Sequence, residues 1–488
     1  MILQNFKSYF SMREIYNVGI IGGGVSGVVT ALQLSKHGID SVLFEQQKSV
    51  VNGPPFCHLH AGGNLYPDIS VAQCQLLMKQ SIEMARMFPE SIDERPTLIS
   101  VPKTEKYEFS NLKQRLDMLV DYYKSLIAED SENEILGAPE DYYKIYTKAD
   151  LERLTELPSV KQPKTSDQWM TNAIKFIDFK KLKMPVILVQ EYGWNLFRLG
   201  AQAQLALNKT SFCDLKTNTN VTHIKDVRNE NLDYNWEIST KDTVYRVNYL
   251  VNSCGFKAGA FDEFLHLNNE HLIEFKAAYV SKWDAIPGLI PELIFHGERG
   301  TPRGMVQLTP YSDDYYQIHG MTNEVTLFKN GLVKSQEKVQ QPEFDEAITE
   351  KLTRGWEPKD IKARTEKAIQ LVTQFVPAFK SAIVGGPPLF GAQQIPGDDP
   401  NLRIGEVRFP CKTYARSEIV KASSALTVAN QILDEVHNLG IVSETQDSNT
   451  ENTLLESIPK KDIDALAEGL AEQRGYPKAL SRLLIERS

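Results

Sequence analysis

The chain has 488 residues, 42% hydrophobic and 24% charged, with a formal charge of −9. That length exceeds what one core usually serves, so two or three structural units of an ordinary soluble globular protein are expected. The acidic balance argues against a general nucleic-acid surface, and no run of about eighteen apolar residues offers a transmembrane helix.

The N-terminal MILQNFKSYFSMRE lacks the uninterrupted apolar core of a secretion signal. Cys57, Cys74, Cys213, Cys254 and Cys411 show no C-x-x-C spacing. Reduced thiols, a cytoplasmic location and no metal site are therefore expected. A peripheral position on the inner face of a membrane stays open.

Residues 16–45, YNVGIIGGGVSGVVTALQLSKHGIDSVLFE, read as a strand, a glycine-rich turn, a helix and a second strand ending in an acid. Gly22, Gly24 and Gly27 give G-x-G-x-x-G. The first glycine serves a tight turn, the second lets backbone approach a pyrophosphate, and the third lets helix and strand pack. Ser26 sits among them, at the start of a helix whose N-terminus favours phosphate. Glu45 can accept both hydroxyls of an adenosine ribose. The pattern predicts a dinucleotide site; the alternative is a βαβ unit whose glycines serve packing alone.

A loop follows, Gln46 to Asn64, carrying CHLHAGGNLYPD, and then helical spacing over 70–88. A strand at Thr97 to Val101 and charged helices at 111–128 and 148–155 precede an amphipathic helix over 193–208. TNVTHIKDV and YLVNSCGF read as strands. Residues 272–330 look β-rich, and helices dominate 341–381. Leu402 to Leu433 should hold one strand and a long helix from about Ser417. The polar SETQDSNTENT, 443–453, reads as a linker. Ile463, Leu466 and Leu470, then Leu480, Leu483 and Leu484, mark two short amphipathic helices that either cap the body or dock a partner.

Taken together, the fingerprint with Glu45, the strand around Val221, YLVNSCGF at 249–256 and the C-terminal strand-to-helix piece resemble the FAD-dependent oxidoreductases of the D-amino-acid-oxidase type. HAGGNLYPD with its following helix, and VTLFKNGL at 325–332, resemble malate:quinone oxidoreductases more loosely. The resemblance implies an α/β fold with a Rossmann-like FAD-binding domain from 13–65, 190–262 and 385–440. A mixed α+β substrate domain would comprise 66–189 and 263–384, followed by a linker at 441–453 and a helical extension at 454–488. It also implies that backbone at Val221 meets the adenine, and that Asn252, Ser253, Cys254 and Gly255 lie near the pyrophosphate. Lys412 and Arg416, at the start of the last long helix, would add positive charge beside the flavin pyrimidine ring.

The resemblance implies a small acid as substrate, either a 2-hydroxy acid or an amino acid, with electrons passing to quinone or oxygen. A hydroxy acid needs a base and a cation for its carboxylate. His60 is the first candidate base, because it titrates near neutrality and follows the second strand, with Gly62 and Gly63 permitting close packing on the ring. His58 is weaker, and His319 in YYQIHGM is comparable. Arg303 leads as carboxylate clamp, a planar guanidinium being suited to two parallel hydrogen bonds; Arg299 and Arg416 compete. Tyr311, Tyr315 and Tyr316 serve as pocket lining or as core. A flavin monooxygenase or halogenase shares the first fingerprint. An assembly subunit keeping FAD for structure alone, docked through the C-terminal helices, is the non-enzymatic alternative.

Overall fold

The structure, a computed structural model, describes residues 14–55, 59, 62–63, 67, 69–284, 288–442 and 452–485. Among them are two large sheets, of eight and ten strands. The eight-stranded sheet is built on Tyr16–Ile21, which runs parallel to both Ser41–Phe44 and Val244–Asn252. Cys213–Lys216 extends it on one side and Tyr414–Glu418 on the other, again in parallel. The central strands carry near-continuous apolar runs because both faces are covered. Val18, Ile20 and Leu43 have no exposed surface. The helix Val25–Lys36 packs on this sheet beside Ala425–Asn438. An antiparallel hairpin, Val221–Asp226 with Trp236–Thr240, leans on the edge of Val244–Asn252.

The ten-stranded sheet is organised by the long strand His271–Lys282, which pairs antiparallel with Leu389–Pro396 and Tyr315–Gly320. Val306–Pro310, Glu292–Phe295, Thr97–Ser100 and Val186–Val189 continue it outward. Alternation along these strands separates two faces. Ala277, Tyr279, Leu293, Phe295, Val306, Leu308 and Ile318 share one apolar cluster with Ala368, Leu371 and Val372 of the helix Pro358–Thr373. The intervening residues point to the opposite face.

The expected α/β architecture is the observed one, and most expected helices form. They span Val71–Met87, Phe109–Glu129, Lys148–Thr155 and Leu196–Leu207. The C-terminal region departs from expectation. Residues 414–418 form a buried strand, preceded by its antiparallel partner Glu406–Cys411, and the helix begins only at Ala425. Val244–Asn252 pairs in parallel with 414–416 and Glu406–Cys411 pairs along the other edge, so sheet ladders satisfy this backbone and override its helical spacing. The last two amphipathic segments also differ: Lys460–Gln473 is a helix, but Lys478–Ser481 is a single 3-10 turn after Gly475 and Pro477. Ile463, Ala467 and Leu470 pack against Phe197 and Ala201, so this apolar face is used within the chain.

Candidate active site

The glycine-rich turn shows three different environments for its three glycines. Gly22 has φ +103° and lies so close to Ser253 that an added Cβ would sit 2.4 Å from its carbonyl oxygen. At Gly27 a Cβ would meet the Gly22 oxygen at 1.9 Å, so helix and strand touch through backbone. A Cβ at Gly24 would meet nothing within 4 Å. Gly24 is also the N-cap of the helix Val25–Lys36 and provides no side-chain acceptor to the first-turn N–H groups. Space and unpaired donors thus coincide where an anion would be held.

Glu45 borders this space and is 8% exposed. Its carboxylate accepts the Gly23 N–H at 2.9 Å and the Gln47 N–H at 2.7 Å. Burial raises its pKa, while those N–H groups and Lys257 oppose the rise. Two bonds leave lone pairs for further donors such as ribose hydroxyls. The Glu45 carbonyl accepts from Thr219, which brings the start of the Val221 strand alongside. Cys254 lies on the other flank, its thiol 3.3 Å from the Ile21 carbonyl, and burial pushes that thiol far up. Gly255 follows with φ +58° and open space at its Cα. The expected nucleotide-side residues therefore surround one turn. Ser26 differs in role, since its hydroxyl hydrogen-bonds that of Ser417.

Through Ser417 the turn reaches the larger sheet. The Ser417 carbonyl accepts from Gln394 Nε2 at 2.8 Å. Gly391, paired with Lys276, would bring a Cβ within 2.7 Å of Pro54 in the loop after the second strand. The face that meets Pro54 at Gly391 is the one turned away from the helix Pro358–Thr373, and it carries polar side chains. Gln307, Thr309, Gln317 and His319 are each at most 8% exposed there. Buried polar groups are costly unless paired, and Gln307, Gln317 and His319 each have a partner. Gln307 donates to Glu292 at 2.5 Å, Glu292 holds Arg95 at 2.7 Å, and Tyr311 donates to Gln317 at 3.2 Å. His319 Nε2 lies 3.2 Å from the Met321 sulfur.

Along the same face, Lys276 sits 2.6 Å from Glu274, which also pairs with Arg299. Burial draws the Lys276 ammonium down to about 8, against the pull of Glu274. Lys421, after the strand Tyr414–Glu418, is lowered further by burial and by Arg403, with Glu274 opposing. Basic side chains thus gather about one carboxylate where the two sheets meet, with Arg299 and Lys276 in direct contact with it. Such a cluster suits an anionic ligand.

Three sequence expectations fall elsewhere. His60, like His58, lies outside the described residues, while Gly62 and Gly63 are buried with φ +79° and +61°. Arg303 is not on the polar face: its side chain is 64% exposed beside Glu105, at the end of the ten-stranded sheet. Arg416 is not at a helix start, because that helix begins only at Ala425; it is a fully buried strand residue paired with Asp262 and, at 3.1 Å, with Glu418. Lys412 stands exposed in the hairpin turn. Lys276, Glu274, Gln307 and Gln317 were not singled out from sequence. The available signal was polar residues at every second position of QLT, QIH and EFK, the same spacing a solvent-facing strand would have.

A family model described as an NAD(P)-binding Rossmann-like domain matches residues 20–51. No curated protein matches the chain by sequence. Among solved structures, L-proline dehydrogenase from P. horikoshii is similar at 15% identity and TM-score 0.58, covering 88% of this chain and 96% of that one. L-alpha-glycerophosphate oxidase from Mycoplasma pneumoniae, solved with FAD bound, is similar at 14% identity and TM-score 0.54, covering 90% and 98%. Glycine oxidase from Geobacillus kaustophilus is similar at 12% identity and TM-score 0.53, covering 89% and 98%. The chain has the fold of these oxidases and dehydrogenases, in line with the D-amino-acid-oxidase type of architecture expected from its motifs.

Proposed function

We propose that this chain is an FAD-dependent oxidoreductase that oxidises a small acid, a 2-hydroxy acid or an amino acid, and passes the electrons to quinone or oxygen. The observation that carries the reading is an open, glycine-lined anion cradle tied to the ten-stranded sheet through Ser26, Ser417 and Gln394, with Gly391 bringing the loop at Pro54 against that sheet's buried polar face. The residues present fit the cofactor: Gly24 leaves room for a pyrophosphate, and Glu45 keeps acceptor capacity for ribose hydroxyls. Gly22, Gly24, Gly27 and Glu45 would hold the nucleotide end, with backbone at Val221, Cys254 and Gly255 beside them. When bound, FAD supplies a centre that accepts two electrons as hydride.

The remaining chemistry falls to side chains. Lys276 and Arg299 gather positive charge that would hold the substrate carboxylate, the role first expected of Arg303. The His319 imidazole would take the proton of a substrate hydroxyl, with His60 the other candidate for that step. Gln307, Gln317 and Thr309 would orient the substrate against a dry wall.

Anaerobic mixing of the purified protein with a panel of 2-hydroxy acids and amino acids tests the reading. The expected result is a yellow protein, absorbing near ~450 nm from its flavin, that one class of acid bleaches. A colourless protein after reconstitution with excess FAD would overturn the cofactor assignment. A yellow protein that no acid bleaches would turn the reading to a monooxygenase if NAD(P)H is consumed, and to an FAD-holding assembly subunit if it is not.

A further inference from the structure

A cleft opens at one end of the ten-stranded sheet, with a volume of about 470 Å³. It is lined partly by Leu371 and by Phe375, at the end of the helix Pro358–Thr373. That helix covers the face of the sheet opposite to the polar one, so the cleft lies on the other side of the sheet from Gln307, Gln317 and His319. Its size falls within the range of small-molecule sites, about 300–1,000 Å³.

The lining divides by chemistry. Val306, Leu371 and Phe375 give an apolar floor, stiffened by Phe375 stacking on Phe295 at 4.4 Å between ring centroids. Lys103, Lys181 and Arg303 stand around it, against a single lining carboxylate, Glu105. Lys181 is already engaged, with the Gln374 carbonyl at 2.7 Å and Asp178 at 3.8 Å. Arg303 is held more loosely. Its guanidinium reaches the Thr104 carbonyl at 3.5 Å and Glu105 at 4.0 Å, both long for this group. An arginine so placed beside an apolar floor can turn both donors of one edge toward a carboxylate.

We infer that this cleft binds an organic anion with an apolar body, an aliphatic or aromatic carboxylate whose head meets Arg303 and whose tail lies on Val306, Leu371 and Phe375. The site is independent of the flavin reading. It still has a route to the polar face, because Gly304 in its wall packs on the Met321 carbonyl, and the Met321 sulfur touches His319.

Calorimetric titration of the full-length protein with hexanoate, and in parallel with hexanol, tests the inference. Hexanoate should bind with a dissociation constant on the order of 1 mM, and hexanol about tenfold more weakly. Arg303→Glu, at an exposed position, should weaken hexanoate about tenfold and leave hexanol unchanged. Gln374→Trp, placing a bulky ring at the exposed mouth, should weaken both. Absence of hexanoate binding, or equal binding by the parent protein and Arg303→Glu, would overturn the assignment. Bleaching by substrate acids is a separate readout, so either proposal can fail while the other stands.

Discussion

The two sheets solve the same problem, keeping polar groups in a dry interior, by opposite means. In the eight-stranded sheet the groups are backbone: N–H donors at a helix start, held open by Gly24 and bordered by one carboxylate. All of them come from residues 20–51, the segment the family model matches. In the ten-stranded sheet the groups are side chains drawn from strands spread between Thr97 and Pro396, with Arg95 just before them, and key pairs such as Gln307 with Glu292 and Glu292 with Arg95 join different segments. The backbone device tolerates almost no change in its own residues, while the side-chain device depends on distant partners staying in register. One can be disabled locally; the other fails as a network.

That contrast can be broken most sharply inside the turn. Gly27→Ala forces a Cβ into contact at 1.9 Å with the Gly22 carbonyl. It should destabilise the protein by about 3 kcal/mol or more, as overpacking against backbone does, visible as a lowered melting temperature with or without FAD. Gly24→Ala meets open space. It should leave the stability of the FAD-free protein within about 0.5 kcal/mol and yet weaken FAD binding at least about tenfold. Equal loss of stability in both variants would mean that the turn is packing alone.

The network is next. A Cβ on Gly193 would lie 1.5 Å from Arg95 Nη1, so Gly193→Ala should drive Arg95 from its bridge between Asp93 and Glu292. Breaking a buried ion pair on one side costs about 3–5 kcal/mol. Denaturant unfolding should show most of that loss, and bleaching by substrate should slow because Glu292 also holds Gln307.

The smallest effect is one of pH. His271 has no exposed surface, donates from Nδ1 to the Asn269 carbonyl at 2.9 Å, and is drawn down to about 4 by burial, with Arg416 and Arg408 adding to the fall. Its folded pKa lies below the unfolded value, so its contribution is complete above about 6.5 and fades as pH falls toward 4. Between pH 7 and pH 5 that amounts to about 2 kcal/mol at 1.36 kcal/mol per unit. His271→Gln should remove that part of the acid-side slope, measured by denaturant midpoints at the two pH values. An unchanged slope would show that the buried imidazole is not the group titrating.

What the sequence determined by itself is the βαβ turn and the class of fold. Gly22, Gly24, Gly27 and Glu45 act on one another within a single supersecondary unit, so their spacing carries their meaning. Helices with strong 3.6-residue periodicity, such as Val71–Met87 and Leu196–Leu207, were legible for the same reason. The site's other wall was decided only by tertiary structure. Alternating polar residues in a strand read identically whether they face water or a buried pocket, and only the packing of Ala277, Tyr279 and Ile318 on a helix fixes which face is which. Arg303 and Arg416 show the same limit from the other side. Each is the right residue type for gripping an anion, but one ends in a separate cleft and the other in a buried pair with Asp262, because long-range strand pairing sets where a charge is carried.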